Sequence, residues 1–293
     1  MNPPHTVAHP APVVPELETA RIALIGAGNM GRALLQGLLR CGVPPAHLAI
    51  ADPDPAARRR CADHGVETAG DGAAIVADCD VVILCFKPQD APTALPRLAP
   101  ALRPGQLLIS IIAGLPIERI RALSGHRGGI VQTMPNLPAL IGQGATALYA
   151  GPETSHAQCL RAAAILNVLG PIAWLDDEAL MDWVTAVSGT GPAYFYLLAE
   201  ALIGAATAGG LDPAAAHRLV LQTGLGAFHL ALARDEPPAA LRRRVTSPGG
   251  TTAAAMTVLD GPFQALVARA VEAAARRSRE LGAATGDVRS PSA

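Results

Sequence analysis

The chain has 293 residues, of which 50% are hydrophobic and 16% charged, and its formal net charge at pH 7 is -1. This composition excludes a disordered chain, and the balanced charge gives no support to a nucleic-acid or anionic-membrane partner. No apolar run approaches the roughly 20 residues that a membrane-spanning helix needs. We therefore expect two soluble domains that act on a small molecule.

Residues 1–19 contain five prolines but no lysine or arginine. They lack the charged start and continuous apolar core of a signal peptide, so a flexible Pro-rich N-terminal tail is predicted. The five cysteines are odd in number and form no CxxC pair, which indicates reduced thiols and a cytoplasmic protein. The eight histidines are scattered, and no metal site is expected.

After the tail, the sequence reads as strand, turn and helix. Residues 21–25 are apolar, and residues 30–40 carry leucines on one helical face. Between them stands a G-x-G-x-x-G pattern formed by Gly26, Ala27, Gly28, Asn29, Met30 and Gly31. Gly26 would make the turn, Gly28 would let the backbone approach a pyrophosphate, and Gly31 would let helix pack on strand. In this context the pattern predicts a dinucleotide site.

Residues 47–51 are predicted as the second strand, and Asp52 follows it, about 20 residues past the last glycine, where an acidic residue would bind the ribose 2′-hydroxyl of NAD. Three arginines come next, and one of them, for which we take Arg58, could instead reach the 2′-phosphate of NADP. At least two of the three are expected to form a solvated helix face. The residues after this strand do not decide between NAD and NADP.

A fully apolar strand is predicted at residues 80–86, with Lys87 and Pro88 just beyond its carboxyl end. Further strands are predicted at residues 107–112, 129–132, 144–149 and 172–175. Ala113 and Gly114 follow the first of these. Ligands bind at the carboxyl ends of strands in open α/β sheets, so these four residues are placed at the cofactor crevice.

The two parts of the chain differ in pattern. Alternating strands and helices over residues 20–175 predict an α/β fold, with an N-terminal Rossmann-type doubly wound, mostly parallel sheet. Residues 176–293 read as helices only and predict an all-α substrate-binding and dimerisation domain. Residues 219–233 are apolar on nearly every face, which a domain of about 115 residues can rarely bury alone. We infer a homodimer or a larger assembly of dimers; the alternative is a central helix in a monomeric bundle.

The stretch Val-Thr-Ser-Pro-Gly-Gly-Thr-Thr at residues 245–252 lies between two helical segments. Gly249 and Gly250 permit positive φ or close approach to another molecule. The next helix begins with unpaired N–H groups and the positive end of its dipole, which suits a small carboxylate. The structural alternative is a helix capped by Thr251 or Thr252 after a tight turn.

With these elements in place, the chain resembles the pyrroline-5-carboxylate reductase family over residues 21–281. The motifs that carry the resemblance are Gly26 to Gly31, Lys87-Pro88-Gln89, Ala113-Gly114, Met134-Pro135-Asn136, the segment 188–194 (SGTGPAY) and the segment 245–252. The resemblance implies a Rossmann domain, a helical domain that dimerises, and reduction of the C=N bond of 1-pyrroline-5-carboxylate to L-proline. It favours NADP(H) as cofactor, with NAD(H) possible in the family.

The resemblance also implies roles for the loop. The hydroxyl of Thr252 would contact the ring nitrogen as the catalytic contact, and the substrate would be enclosed by Ser247, Gly249, Gly250, Thr251 and Thr252. Gln132, Leu137 and Thr190 depart from the usual Arg, Thr and Ser of the family. The first two are expected near the crevice, which leaves open a related imine or β-hydroxyacid reductase with another substrate. A nucleotide-sensing protein without turnover is the alternative of another class.

Overall fold

The computed structural model describes residues 15–234 and 236–284, which form two compact units. One unit contains the chain up to Thr190 and takes it up again at Ala274; the other spans Gly191–Ala273. The division thus falls at residue 190, whereas the strand signals in the sequence end near residue 175. The segment between these points consists of short helical turns that pack on two strands of the sheet.

The first unit is built on one eight-stranded sheet. Its strands are β1 (Ile22–Ile25), β2 (Leu48–Ala51), β3 (Glu67–Ala69), β4 (Val81–Leu84), β5 (Leu107–Ser110), β6 (Ile130–Met134), β7 (Thr146–Ala150) and β8 (Ile172–Trp174). The order is β3-β2-β1-β4-β5-β6-β7-β8, and every neighbouring pair is parallel except β6 with β7. The predicted mostly parallel, doubly wound sheet is confirmed.

Helices cover both faces of this sheet. They are α1 (Pro15–Glu18), α2 (Asn29–Arg40), α3 (Pro55–Ala62), α4 (Ala73–Val76), α5 (Ala91–Leu98), α6 (Ile117–Ser124), α7 (His156–Leu166) and α8 (Met181–Val184). All four residues of β4 are buried, and they alternate between two hydrophobic clusters, with Val81 and Ile83 in one and Val82 and Leu84 in the other. Burial on both faces explains why this strand is apolar without interruption.

Two elements of this unit differ from the expectation. β3 was not predicted, because it has three residues, includes Glu67 and Thr68, and lies at the edge of the sheet. The predicted tail of residues 1–19 is too long, because Pro15–Glu18 form a helical turn. Leu17 in that turn is buried, and the carbonyl of Glu16 accepts a hydrogen bond from Nε of Arg161 at 3.3 Å. Residues 1–14 lie outside the described residues.

The second unit is helical, as predicted. Its helices are α9 (Gly191–Ala208), α10 (Pro213–Arg234), α11 (Pro238–Arg244), α12 (Thr251–Leu259) and α13 (Pro262–Ala284), of which α13 continues into the first unit. The carboxylate of Asp212 caps α10 by accepting the N–H of Ala215 at 2.9 Å. Helices α9 and α10 pack together, and the rings of Phe195 and Phe228 meet edge to face at 5.2 Å.

Residues 219–233 of helix α10 are apolar on nearly every face, yet much of this surface stays uncovered in the single chain. Leu219 is 58% exposed, and Leu232 is 81% exposed. Such a helix normally lies in a protein interior. None of the helices in the described ranges combines the length and apolar character that crossing a membrane requires. The second unit therefore presents an apolar surface that no described residue of the same chain covers.

Candidate cofactor and substrate sites

The glycine loop after β1 has the geometry that its pattern predicts. Gly26 has a φ of 116°, and its N–H donates to the carbonyl of Ala51 at 2.7 Å. A methyl group on Gly26 would lie 2.6 Å from the carbonyl oxygen of Cys85, and one on Gly31 would overlap the carbonyl oxygen of Gly26. A methyl group on Gly28 would meet nothing within 4 Å. Two glycines are thus demanded by packing, and the third faces open space.

That open space belongs to a cleft of about 630 Å³ at the carboxyl ends of β1, β2, β3 and β4. We call it the first cleft. Among the predicted cofactor residues, Gly26, Gly28, Asp52 and Lys87 line it. The other predicted residues do not line it: Ala27, Asn29, Met30, Gly31, Arg58, Pro88, Ala113 and Gly114. Because α2 begins at Asn29, with Gly28 as its N-cap and no side-chain cap, its first N–H groups remain available near the cleft.

Asp52 is held by the backbone of two loops. Its Oδ2 accepts the N–H of Ala27 at 2.7 Å, and its Oδ1 accepts the N–H of Asp54 at 2.8 Å. The side chain of Arg58 turns back over the same loop, where Nη1 donates to the carbonyls of Asp52 at 2.7 Å and Pro53 at 3.0 Å. The carboxylate therefore joins the glycine loop to the segment after β2, and the guanidinium is fixed beside it.

Several lining residues were not singled out from the sequence, among them Asp71 and Arg97. Their side chains form an ion pair at 3.4 Å between Nη2 and Oδ2. Asp71 follows the unpredicted strand β3, and Arg97 lies on α5, which no motif marks. Cys85 also lines the cleft, and burial raises the pKa of its thiol far above the usual range, so the group stays protonated at neutral pH.

Gly114 has a packing role away from the first cleft. It has a φ of 70°, and a methyl group on it would lie 3.1 Å from the carbonyl oxygen of Ser278 on α13. A methyl group on Gly282 would in turn overlap the carbonyl oxygen of Gly114. Gly114 lines a second cleft of about 450 Å³, together with Gln132 and Arg279. The expectation that Gly114 and Gln132 would lie at the cofactor crevice is therefore not met for the first cleft.

Two sequence motifs meet at the carboxyl end of β6. Nδ2 of Asn136 donates to Oγ of Ser188 at 3.3 Å, and its Oδ1 accepts the N–H of Ala145 at 2.9 Å. A methyl group on Gly189 would overlap the side chain of Met134. The second motif begins in a π-helical turn, Thr185–Gly189, which contains its Ser188 and Gly189, and such turns often mark functional sites. These contacts give both motifs a role in fixing the chain near the ligand edge of the sheet.

The loop at residues 245–252 lies in the second unit and ends at the start of α12. Gly249 has a φ of 69°, and the N–H of Gly250 donates to the carbonyl of Ser247 at 3.0 Å. Gly250 is the N-cap, and no side chain caps the helix, so the capping role considered for Thr251 or Thr252 is wrong. Neither threonine hydroxyl has a hydrogen-bond partner among the described residues. The loop therefore offers free hydroxyls and helix N–H groups at one place.

The helices on either side of this loop are tied together. Nη1 of Arg242 on α11 donates to Oδ1 of Asp260, which follows α12, at 3.1 Å. The hydroxyl of Thr246 donates to the carbonyl of Arg242 at 2.7 Å. A hydrogen bond from Gln264, then the bond and charge of Arg242, lower the pKa of Asp260, so the carboxylate stays ionised and keeps its partners. This network links the helix before the loop to the end of α12 and holds Thr246 at the entry of the loop.

Comparison with known proteins covers nearly the whole described chain. Residues 178–281 match the family model for pyrroline-5-carboxylate reductase dimerisation, and residues 21–114 match the model for NADP oxidoreductase, coenzyme F420-dependent. The chain is 47% identical over 272 residues to the pyrroline-5-carboxylate reductase of Pseudomonas aeruginosa, which spans 92% of this chain and 100% of that protein.

Solved structures give the same result. A pyrroline-5-carboxylate reductase from Coxiella burnetii is 34% identical with a TM-score of 0.85, and the match covers 90% of this chain and 99% of that one. The Plasmodium falciparum pyrroline carboxylate reductase with NADP bound is 31% identical with a TM-score of 0.82, with 91% and 99% covered. The similarity extends over both units of the fold.

Proposed function

Since this chain belongs to the pyrroline-5-carboxylate reductase family, we propose that it reduces the C=N bond of 1-pyrroline-5-carboxylate with NAD(P)H and forms L-proline. The observation that carries the proposal is the loop at residues 245–252, where an uncapped helix N-terminus stands beside two unpartnered hydroxyls. A cyclic imino acid presents a carboxylate and a ring nitrogen, and these groups require an anion site and a nearby hydroxyl.

The cofactor is proposed to be NADP(H), with its adenosine half in the first cleft. Gly28 leaves room for the pyrophosphate at the N-terminus of α2, and Ala27, Asn29 and Met30 supply backbone around it. Lys87 lines the cleft and makes no ion pair with a described residue, so its charge is available to the phosphates. Pro88, Ala113, Gly114 and Gly31 contribute by shaping the loops that carry these groups.

The chemistry then needs little beyond positioning. When bound, the dinucleotide supplies the hydride. The chain binds the substrate carboxylate with Ser247, Gly249, Gly250 and Thr251, and the Thr252 hydroxyl forms a hydrogen bond with the ring nitrogen. Fixing both handles orients the C=N carbon and offsets charge that develops at nitrogen. The ion pair between Arg242 and Asp260 links α11, which precedes this loop, to the end of α12, which follows it.

The test is absorbance at 340 nm with purified protein, 1-pyrroline-5-carboxylate, and NADPH or NADH in parallel. Rapid oxidation of cofactor with formation of proline is expected. Oxidation with other cyclic imines only would point to a different substrate on the same scaffold. Tight binding of cofactor without oxidation by any imine would point to a nucleotide-sensing protein.

The assembly is proposed to be a homodimer or a larger assembly of dimers, working in the cytoplasm. The apolar, uncovered surface of α9 and α10 supports the assembly, and five free thiols support a reducing compartment.

Leu197→Glu, at a side chain that is 65% exposed, is expected to shift the sedimentation coefficient toward the monomer. Arg127→Glu, on the surface of the first unit, is the control and should leave it unchanged. An unchanged value for Leu197→Glu would remove α9 from the interface.

A further inference from the structure

We propose that the second cleft is a binding site for a small molecule with a primary ammonium group, which Gln132, Glu178 and Asp182 hold. The cleft lies wholly in the first unit, because its lining residues fall within 114–185 and 279–283. It shares no residue with the first cleft or with the loop at 245–252, so the inference does not depend on the proposed function. Its volume of about 450 Å³ is in the range of small-molecule sites, roughly 300–1,000 Å³.

The amide of Gln132 supplies a buried acceptor at this cleft. The residue is 3% exposed, and its Nε2 donates to the carbonyl of Leu115 at 3.1 Å. A carbonyl can only accept, so this bond fixes which end of the amide is nitrogen. The other end, Oε1, is buried and has no hydrogen-bond partner among the described residues. An acceptor left in this state costs about 1–3 kcal/mol, which a ligand that donates a hydrogen bond would recover.

Two half-buried carboxylates line the same cleft. Oε1 of Glu178 accepts the N–H of Ile117 at 2.7 Å, and Oδ1 of Asp182 accepts the hydroxyl of Ser278 at 2.6 Å. Each carboxylate is thus fixed by one oxygen and keeps the other for a ligand. Neither forms an ion pair with a described residue, so the negative charge of the cleft is left for a bound cation.

The three acceptors are held close together by the chain. The partners of Gln132 and Glu178 are Leu115 and Ile117, which are two residues apart in one segment before and at the start of α6. Asp182 follows Glu178 by four residues, a spacing that places side chains on one side of a helical segment. An ammonium group has three N–H donors, one for each acceptor. The described His, Cys, Asp and Glu residues form no group of three that could hold a metal ion, which favours an organic cation.

Arg279 distinguishes two sources of the ammonium group. It lines the cleft, it is exposed, and it makes no ion pair with a described residue. Its guanidinium therefore stands on the solvent side of the site, where it would bind the carboxylate of an amino acid. A simple amine would use the three acceptors alone. The shared feature of both ligands is the primary ammonium group.

The experiment measures binding to the full chain by calorimetry at constant ionic strength, with ligands of matched size. Propylamine carries the ammonium group alone, L-2-aminobutyrate carries both ammonium and carboxylate, and butyrate carries the carboxylate alone. Thermal unfolding without ligand shows whether each variant is folded. No step of the experiment requires turnover.

Two variants remove charge from the cleft and keep the internal bonds. Glu178→Gln retains an oxygen for the N–H of Ile117, and Asp182→Asn retains one for the hydroxyl of Ser278. Asp78→Asn is the matched control, because Asp78 is an exposed carboxylate of the first unit that lines neither cleft.

Propylamine and L-2-aminobutyrate should bind, and butyrate should not. Glu178→Gln and Asp182→Asn should each raise Kd for the ammonium ligands by about tenfold or more, since a hydrogen bond between charged groups is lost, and the control should leave Kd unchanged. Gln132→Lys should abolish binding, because the introduced ammonium group takes the place of the ligand. If Gln132→Lys does not fold, the two carboxylate variants decide the question.

Arg279→Gln then identifies the class of ligand. Weaker binding of L-2-aminobutyrate alone would support amino acids, and unchanged binding of both ligands would support amines. The proposal is overturned if neither ammonium ligand binds, if butyrate binds as tightly as they do, or if Glu178→Gln and Asp182→Asn leave Kd unchanged. The expected binding in a protein that reduces no imine would leave this inference standing and refute the proposed function.

Discussion

The Gly31→Ala variant is expected to lose about 3 kcal/mol of folding free energy, with cofactor binding impaired as a consequence. The reason is contact with backbone and not with a flexible side chain. A methyl group on Gly31 would overlap the carbonyl oxygen of Gly26, in a loop whose other end is fixed by the 2.7 Å bond to Ala51. Helix α2 would have to shift away from β1. Urea denaturation measures the loss.

Gly28→Ala is the matched variant, and it separates binding from packing. A methyl group there meets nothing within 4 Å, and the residue has a φ of -67°, which alanine adopts without strain. Its stability should stay within about 1 kcal/mol of the parent, because only an N-cap preference changes. Cofactor affinity should still fall by about tenfold or more, since the methyl group occupies space next to the pyrophosphate. Equal stability losses in the two variants would contradict this division.

Thr252→Val is expected to lower kcat/KM for 1-pyrroline-5-carboxylate by about 10- to 150-fold, on the order of 1.5–3 kcal/mol. The change keeps the shape of the side chain and removes its hydroxyl. That hydroxyl caps nothing and has no partner in the described part of the chain, so its loss should not weaken α12 through a broken bond. Steady-state kinetics with saturating NADPH measures the effect.

The control for this prediction lies one and a half turns along the same helix. The hydroxyl of Thr257 donates to the carbonyl of Ala254 at 2.7 Å, so it is occupied within α12. Thr257→Val should leave kcat/KM near the parent value. If Thr252→Val matched the parent and Thr257→Val did not, the proposed contact with the ring nitrogen would be wrong.

The sequence predicted those parts of the fold that have a strong local signal. The central strands are buried on both faces and therefore appear as unbroken apolar runs, as at residues 81–84. The glycine spacing after β1 was informative because a side chain on Gly26 or Gly31 would meet backbone atoms, whereas Gly28 faces the open cleft. β3 escaped prediction because it is short, partly polar and at the edge, where burial imposes no pattern.

The parts that could not be predicted depend on contacts distant in the sequence. Nothing near Gly114 signals that it packs against Gly282, because the partner comes from the far end of the chain. Asp52 is identifiable as a residue at the end of β2, but only the positions of two backbone N–H groups show where its carboxylate points. The N-cap of α12 was missed for a local reason, because the helix begins at Thr251 and Gly250, not a threonine, is the N-cap.

The burial of the five cysteines affects how readily the protein is oxidised. Burial raises the pKa of all five thiols, to about 11 for Cys79, and Cys85 beside the cofactor cleft is shifted furthest. Peroxides attack the thiolate, which these residues scarcely populate at neutral pH. At neutral pH these thiols should therefore react slowly with hydrogen peroxide.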